Sequence, residues 1–228
     1  PRQRDAGLTM SATSGIGLAQ LAKDSVLRSE RDFYFAPLAV NDALIVASVD
    51  PNGVAVGANF TLATPANGLL LRRARQVTMT INDDDAGGGL SLTVRLTGHR
   101  RGVFQQEILT ATSTNTNDTV ATSTKYYDEV TELKLLAKTA DAGDDVTFGI
   151  ADSSFGLDFP ISNVCDVQLI MNISTATEQA AVVISATTVD VAQSAVKGLG
   201  SLATTDRWEI RYLKSLDKDS SGPEGVWR

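Results

Sequence analysis

Along the middle of the chain, apolar and polar residues alternate with the period of two that a half-buried β-strand requires, because successive side chains leave a strand on opposite faces. Val77, Met79 and Ile81 alternate with Gln76, Thr78 and Thr80, and Leu90, Leu92, Val94 and Leu96 repeat the pattern. Between these runs lies NDDDAGGG (82–89), which is rich in glycine and repels itself electrically, so a hairpin loop is predicted there. GHRRG (98–102) makes a second connection, into VFQQEILTATS (103–113). From Arg72 to Phe148 the same device recurs: an alternating run, a Gly/Asp/Asn/Thr break, then another run.

The flanking regions extend the prediction. ALIVASV (43–49) reads as a strand stopped by the turn Asp50-Pro51-Asn52-Gly53, VAVGANFTLAT (54–64) as a second strand, and PANG (65–68) as another turn. The Thr/Asn/Ser segment 112–124 reads as a connector. In KYYDEVTELKLLAK (125–138), Tyr127, Val130, Leu133 and Leu135 fit strand or helix, and the Thr-rich flanks together with the turn in TADAGDDVTFGI select strand. VCDVQLIMNI (164–173), AAVVISATTVDV (180–191) and RWEIRYLKS (207–215) are further predicted strands. Residues 1–40 read as an amino-terminal arm. It carries a short helix over 16–30, marked by Leu18, Leu21, Ala22 and Val26, and an aromatic knot, FYFAPL. Residues 41–215 form the predicted core, with a sub-boundary near 65–72, and 216–228 a polar tail. About ten short strands separated by turns predict an all-β fold, an antiparallel β-sandwich or barrel of jelly-roll type.

Composition bears mainly on function. The 228 residues are 43% hydrophobic and 6% aromatic, enough to build a core and too ordinary for wholesale disorder. The net charge of −7 is unevenly divided: residues 1–101 hold 11 Lys/Arg against 9 Asp/Glu, residues 102–228 hold 9 against 18. Such a division suits head-to-tail association between copies and fits a solvated acidic face equally well, and without a dense basic patch nucleic acid is not an expected partner. No stretch approaches the roughly 18 apolar residues of a membrane-spanning helix, and the first residues lack the apolar run of a signal peptide. Synthesis in the cytoplasm is therefore expected.

Candidate chemistry is sparse. The one cysteine, Cys165, excludes an internal disulfide and is expected to be a buried thiol in its apolar run. The one histidine, His99, sits beside Arg100 and Arg101 in a predicted turn, where a solvated imidazole is expected; no G-x-S-x-G elbow accompanies it. SATSGIG (11–17) resembles a nucleotide-binding glycine turn but lacks the apolar strand that must precede one. Asp83, Asp84 and Asp85 are the candidates for a hard cation such as Ca²⁺, with Asp141, Asp144 and Asp145 second, and neither group has EF-hand spacing. No cofactor and no catalytic residue is expected. Candidate interface residues are Arg2 and Arg4, the aromatics Phe33, Tyr34 and Phe35, the cluster Arg72, Arg73 and Arg75, and Trp227. The arginine cluster could equally be an exposed strand edge that discourages aggregation.

Taken together, residues 72–150 resemble structural proteins of tailed-bacteriophage virions. The resemblance is carried by RQVTMTI, by LTVRLTG-HRRG-VFQQEIL with Gly98, Gly102 and Glu107, by KYYDEVTELKLLAK and by the closing Val146-Thr147-Phe148-Gly149. Arg100 and Arg101 depart from it, since that loop is more often acidic or Asn-rich. The resemblance implies a non-enzymatic capsid decoration (cement) protein resident in the virion. Its partners would be copies of itself, as in a trimer, and the major capsid protein or another virion protein. The alternatives are a tail-tube, head-fibre or adaptor component and a β-sandwich module for glycan binding or adhesion. That module would use exposed aromatics, for which Tyr126, Tyr127, Trp208 and Trp227 are the candidates.

Overall fold

A computed structural model describes residues 28–35, 41–63, 69–83, 89–113, 118–172, 181–200, 202 and 207–215. The fold is all-β and antiparallel. In chain order the strands are β1 (Arg28–Phe35), β2 (Asn41–Val49), β3 (Leu69–Asn82), β4 (Leu90–Arg100), β5 (Val103–Ser113), β6 (Thr119–Thr139), β7 (Asp145–Ile150), β8 (Phe155–Gly156), β9 (Val167–Asn172), β10 (Val189–Asp190), β11 (Ala195–Val196) and β12 (Trp208–Ser215). Three sheets result, with orders β2-β7-β3-β6-β4-β5, β1-β12-β9 and β10-β11-β8. The arrangement is that of a sandwich; the six-stranded sheet does not close into a barrel.

Alternation explains the main sheet. Val77, Met79 and Ile81 of β3 and Leu90, Leu92, Val94 and Leu96 of β4 all face one core, which they share with Ile45, Phe60, Leu133, Leu135, Val146 and Phe148. Strand β6 runs for 21 residues and belongs to both halves of the sheet. On one side it pairs with β3 from Ile81↔Thr119 to Leu69↔Val130, and on the other its second half pairs with β4 from His99↔Glu129 to Ser91↔Thr139. A second core, under the sheet β1-β12-β9, gathers Phe155, Leu157, Val167, Ile170, Trp208, Ile210 and Tyr212.

Several sequence expectations are corrected. Residues 28–30 lie in β1 and so are not helical; 16–27 fall outside the described residues. Arg28–Phe35 is not part of an arm, because it pairs with β12, setting Phe33 opposite Ile210 and Phe35 opposite Trp208. Of the 54–64 run, residues 54–63 are described and are not a strand: Gly57 turns with φ +90° and the segment meets the second half of β6 through single bonds such as Gly57 N–H to Leu135 O (2.8 Å). Much of the 112–124 connector is strand, since β5 ends at Ser113 and β6 starts at Thr119. Of the 180–191 run, only Val189–Asp190 is strand among the described residues 181–191. Ser and Thr hydroxyls there bond locally, Thr188 Oγ1 donating to Val183 O and accepting from Ser185 N, which competes with a sheet ladder. Residues Val164–Asp166 form a 3-10 turn capped by Asn163, and Cys165 on it is therefore exposed and not buried.

Candidate assembly surface

The strand β6 bulges within its ladder to β3. Between Gln76↔Tyr126 and Thr78↔Thr122, β3 advances two residues while β6 advances four. Such extra residues leave ladder groups without partners and bend the strand, which is how chains turn a corner between sheet halves. Side chains replace the lost ladder on both flanks. Toward β3, the buried Ser123 hydroxyl accepts Val77 N–H (2.8 Å) and Gln76 Nε2 donates to Ser123 O (2.7 Å). Toward β5, the Glu107 carboxylate accepts Thr124 N–H (2.8 Å), Thr124 Oγ1–H (2.8 Å) and Lys125 N–H (3.2 Å). Lys125 Nζ returns a bond to Gln106 O (2.8 Å), and Gln105 Nε2 donates to Tyr126 O (2.5 Å). Thus β5 is fastened to the first half of β6 by side chains alone.

Two glycines complete the corner. At Gly98 a Cβ would run into the Glu129 carbonyl and stand 2.9 Å from Tyr127 Cδ1, so only glycine lets β4 pass this close to β6. Gly102 takes φ +75° beside Arg101 at φ +50°, which makes the two-residue connection between β4 and β5. Gly98, Gly102 and Glu107 are thus explained by sheet geometry. Tyr127, fully buried, has a hydroxyl without a hydrogen-bond partner; burial and then the Glu107 charge push its ionisation up from the ordinary range.

The arginines face inward. Arg75 is 1% exposed, on a strand between two others, and donates to Ala151 O. Burial lowers its pKa to about 10 against the raising effect of Asp152. Arg73 pairs with Asp158 at 2.5 Å, Arg100 Nη2 donates to Ser194 O (2.9 Å) and Arg101 Nη2 to Leu157 O (2.5 Å). Gly156 makes room for the contact, since a Cβ there would lie 2.8 Å from Ala74 Cβ and 2.9 Å from Arg100 Nη2. Two clusters far apart in sequence therefore fasten the second core onto the main sheet. Neither an exposed-edge reading nor an intermolecular role fits the burial of Arg75.

The exposed positions of β5 are uncharged and partly apolar. Phe104 and Ile108 on β5 are 58% and 60% exposed, Val120 across the seam 55%, and Val103 is also exposed. Gln106, Thr110 and Thr112 share the exposed face of β5. His99 is on β4, not in a loop: its Nδ1 lies 3.0 Å from Glu129 Oε2 and its ring meets Phe104 edge-on at 6.1 Å. Beside it Arg95 bonds Glu132 at 3.0 Å. Burial alone would raise the Glu132 carboxyl, but the hydrogen bond and charge of Arg95, with Thr97 and Asn59, outweigh it and hold it below the ordinary carboxylate range.

The other sequence candidates divide as follows. Phe33, Tyr34 and Phe35 lie on β1 and Arg72 on β3, while Arg2, Arg4, Asp84, Asp85 and Trp227 lie outside the described residues. Asp83 is buried at the end of β3, and Asp144 is buried with one oxygen accepting Asp141 N–H (2.9 Å). Among the described residues no group of three His, Cys, Asp or Glu could hold a metal ion. Among them, too, no helix is long and apolar enough to cross a membrane. The aromatics Tyr126, Tyr127 and Trp208 are all buried. The sequence signal for the exposed surface was present in β5, where Phe104 and Ile108 stand out of phase with the buried Leu109 and Ala111. Comparison with protein families, curated proteins and solved structures finds no match to the chain.

Proposed function

We propose that this chain is a non-enzymatic structural protein of a tailed-phage virion, a capsid decoration protein that stabilises the head through subunit interfaces. The observation that carries the reading is the apolar face of β5. Exposed large apolar residues concentrate there, on a strand held rigidly by the Glu107 fastening and by the ladder to β4. Exposed apolar patches on a stiff scaffold are what a subunit needs to bury area against neighbours.

The virion resemblance supports the reading in a specific way. Gly98, Gly102 and Glu107 each have a distinct task in the corner, and Val146–Gly149 lies in β7 of the same sheet. The shared pattern is thus a pattern of architecture. A glycan-binding module is less well supported, because three of its four candidate aromatics are interior.

The test is association with particles. The chain should be found in purified virions, leave them under mild denaturant and rebind on its removal. Absence from any particle would sink the proposal.

A further inference from the structure

We propose that Asp83 and Asp144, at the end of the β3–β7 ladder, hold a hard divalent cation, Ca²⁺, between them. The site is independent of the virion reading and stands or falls without it.

Register brings the two carboxylates together. Strands β3 and β7 pair through Ile81↔Val146 and then Asn82↔Asp145. One step further in the same antiparallel sense sets Asp83 opposite Asp144, in phase with the core residues Ile81 and Val146. Residues directly opposite on one face have Cβ atoms about 5 Å apart. Both side chains are buried, Asp83 at 1% exposure and Asp144 at 0%. Asp145 is one residue out of phase and accepts the Ser48 hydroxyl (2.7 Å) on the exposed side, so it takes no part.

The Asp144 carboxyl group is what calls for a ligand. Gly143, with φ +108°, lets the preceding turn close tightly, and Asp141 N–H reaches one carboxyl oxygen, Oδ2 (2.9 Å). The other oxygen, Oδ1, is buried and has no hydrogen-bond partner. Holding a carboxylate oxygen out of water with nothing bonded to it is strongly unfavourable. A second carboxylate directly across the ladder adds repulsion. One cation between the two removes both penalties.

Ligand chemistry selects Ca²⁺. Carboxylate oxygens are hard donors and suit hard cations. Ca²⁺ accepts an irregular shell of roughly six to eight oxygens from carboxylates, main-chain carbonyls and water, whereas Mg²⁺ demands near-octahedral geometry and parts reluctantly with its water. Two carboxylates on neighbouring strands beside a tight turn fit the more tolerant ion. No third acidic, imidazole or thiol ligand joins them among the described residues, so main-chain oxygens and water complete the shell.

The experiment is the thermal midpoint of the full chain in EGTA and in millimolar Ca²⁺ at matched ionic strength. Ca²⁺ should raise the wild-type midpoint by about 4 °C or more, because it binds the folded state and not the unfolded one. Mg²⁺ at the same concentration should raise it clearly less. Asp144→Asn should abolish the rise, while its midpoint in EGTA stays at or above that of wild type: the amide oxygen still accepts Asp141 N–H and the uncompensated charge is gone. Asp118→Asn, at an exposed carboxylate elsewhere, should leave the Ca²⁺ effect unchanged. Circular dichroism reports whether each variant folds, and Asp83→Asn carries the same test if Asp144→Asn does not. A wild-type midpoint indifferent to Ca²⁺ overturns the proposal. So does a rise that survives the substitutions, or one that Mg²⁺ matches, which marks general screening of the net charge of −7.

Discussion

Truncating Glu107 to alanine tests the account of the corner. The carboxylate accepts two main-chain N–H groups and one hydroxyl, at 2.8, 3.2 and 2.8 Å. A hydrogen bond to a charged acceptor contributes about 1.5–3 kcal/mol when shielded from water. Glu107 is only half-buried and Thr124 is exposed, so water takes over part of each lost bond. The expected loss is about 2 kcal/mol in total, which in a chain of this length lowers the melting midpoint by about 4–8 °C. Glu107→Gln keeps one acceptor but turns its amide N–H₂ toward the second donor, for a loss of about 1 kcal/mol. Urea unfolding at neutral pH gives the magnitude. Amide exchange gives the location: Thr124 and Lys125 should exchange faster in the alanine variant, while the β4 ladder to the second half of β6 stays protected. Stability within about 0.5 kcal/mol of wild type, or unchanged exchange at Thr124 and Lys125, would refute the claim that side chains hold this seam.

Four further outcomes follow from other parts of the fold. Gly98→Ala should destabilise by about 3 kcal/mol, because its methyl meets main chain that cannot withdraw, whereas Gly53→Ala, with open space around it, should be nearly neutral; thermal melts of the pair decide. Tyr127→Phe should be neutral or stabilising by up to about 1 kcal/mol, since it removes a buried hydroxyl without a partner, and a clear loss in urea unfolding would show that the hydroxyl is bonded. Lys138 Nζ donates to Pro51 O, Asn52 O and Val54 O at 2.9, 2.7 and 2.7 Å, so Lys138→Met should cost about 1–2 kcal/mol and speed proteolysis near residues 50–58. Glu132 has its folded pKa depressed, so its contribution is present above the ordinary carboxylate range and lost as pH falls through the folded value; the stability gap between wild type and Glu132→Gln should close on acidification.

Much of the main sheet was legible because its strands keep strict phase. All of Val77, Met79, Ile81, Leu90, Leu92, Val94 and Leu96 are buried as alternation requires. Strand β6 was ambiguous for a physical reason. At Thr97/Gly98 and at Thr93/Val94, β6 advances two residues while β4 advances one. Each extra residue shifts the inward phase, so Tyr127, Val130 and Leu133 mimic the spacing of a helix while lying in a strand. The arginines misled in another way. Arg72, Arg73 and Arg75 look like a surface cluster until residues 151–158, distant in sequence, supply the carbonyl and carboxylate that Arg73 and Arg75 meet. Cys165 was misplaced because the Asn163 cap converts the start of an apolar run into a 3-10 turn. The apolar face of β5 was visible as residues, but its exposure depends on β5 lying at the sheet edge, which pairing decides and local sequence does not.

The pairing of β1 with β12 sets an order of events during folding. Arg28 meets Ser215 and Phe35 meets Trp208, so the partners are 187 and 173 positions apart. The β4–β5 hairpin closes across three positions, Arg100 to Val103. Loop-closure entropy makes the distant pairing harder to initiate by roughly 3–4 kcal/mol, and contacts of that span form late. During synthesis β1 is made at least 173 positions before the residues of β12 that it meets. The main sheet can assemble in the interval, with the pairing of β1 and β12 following the local hairpins.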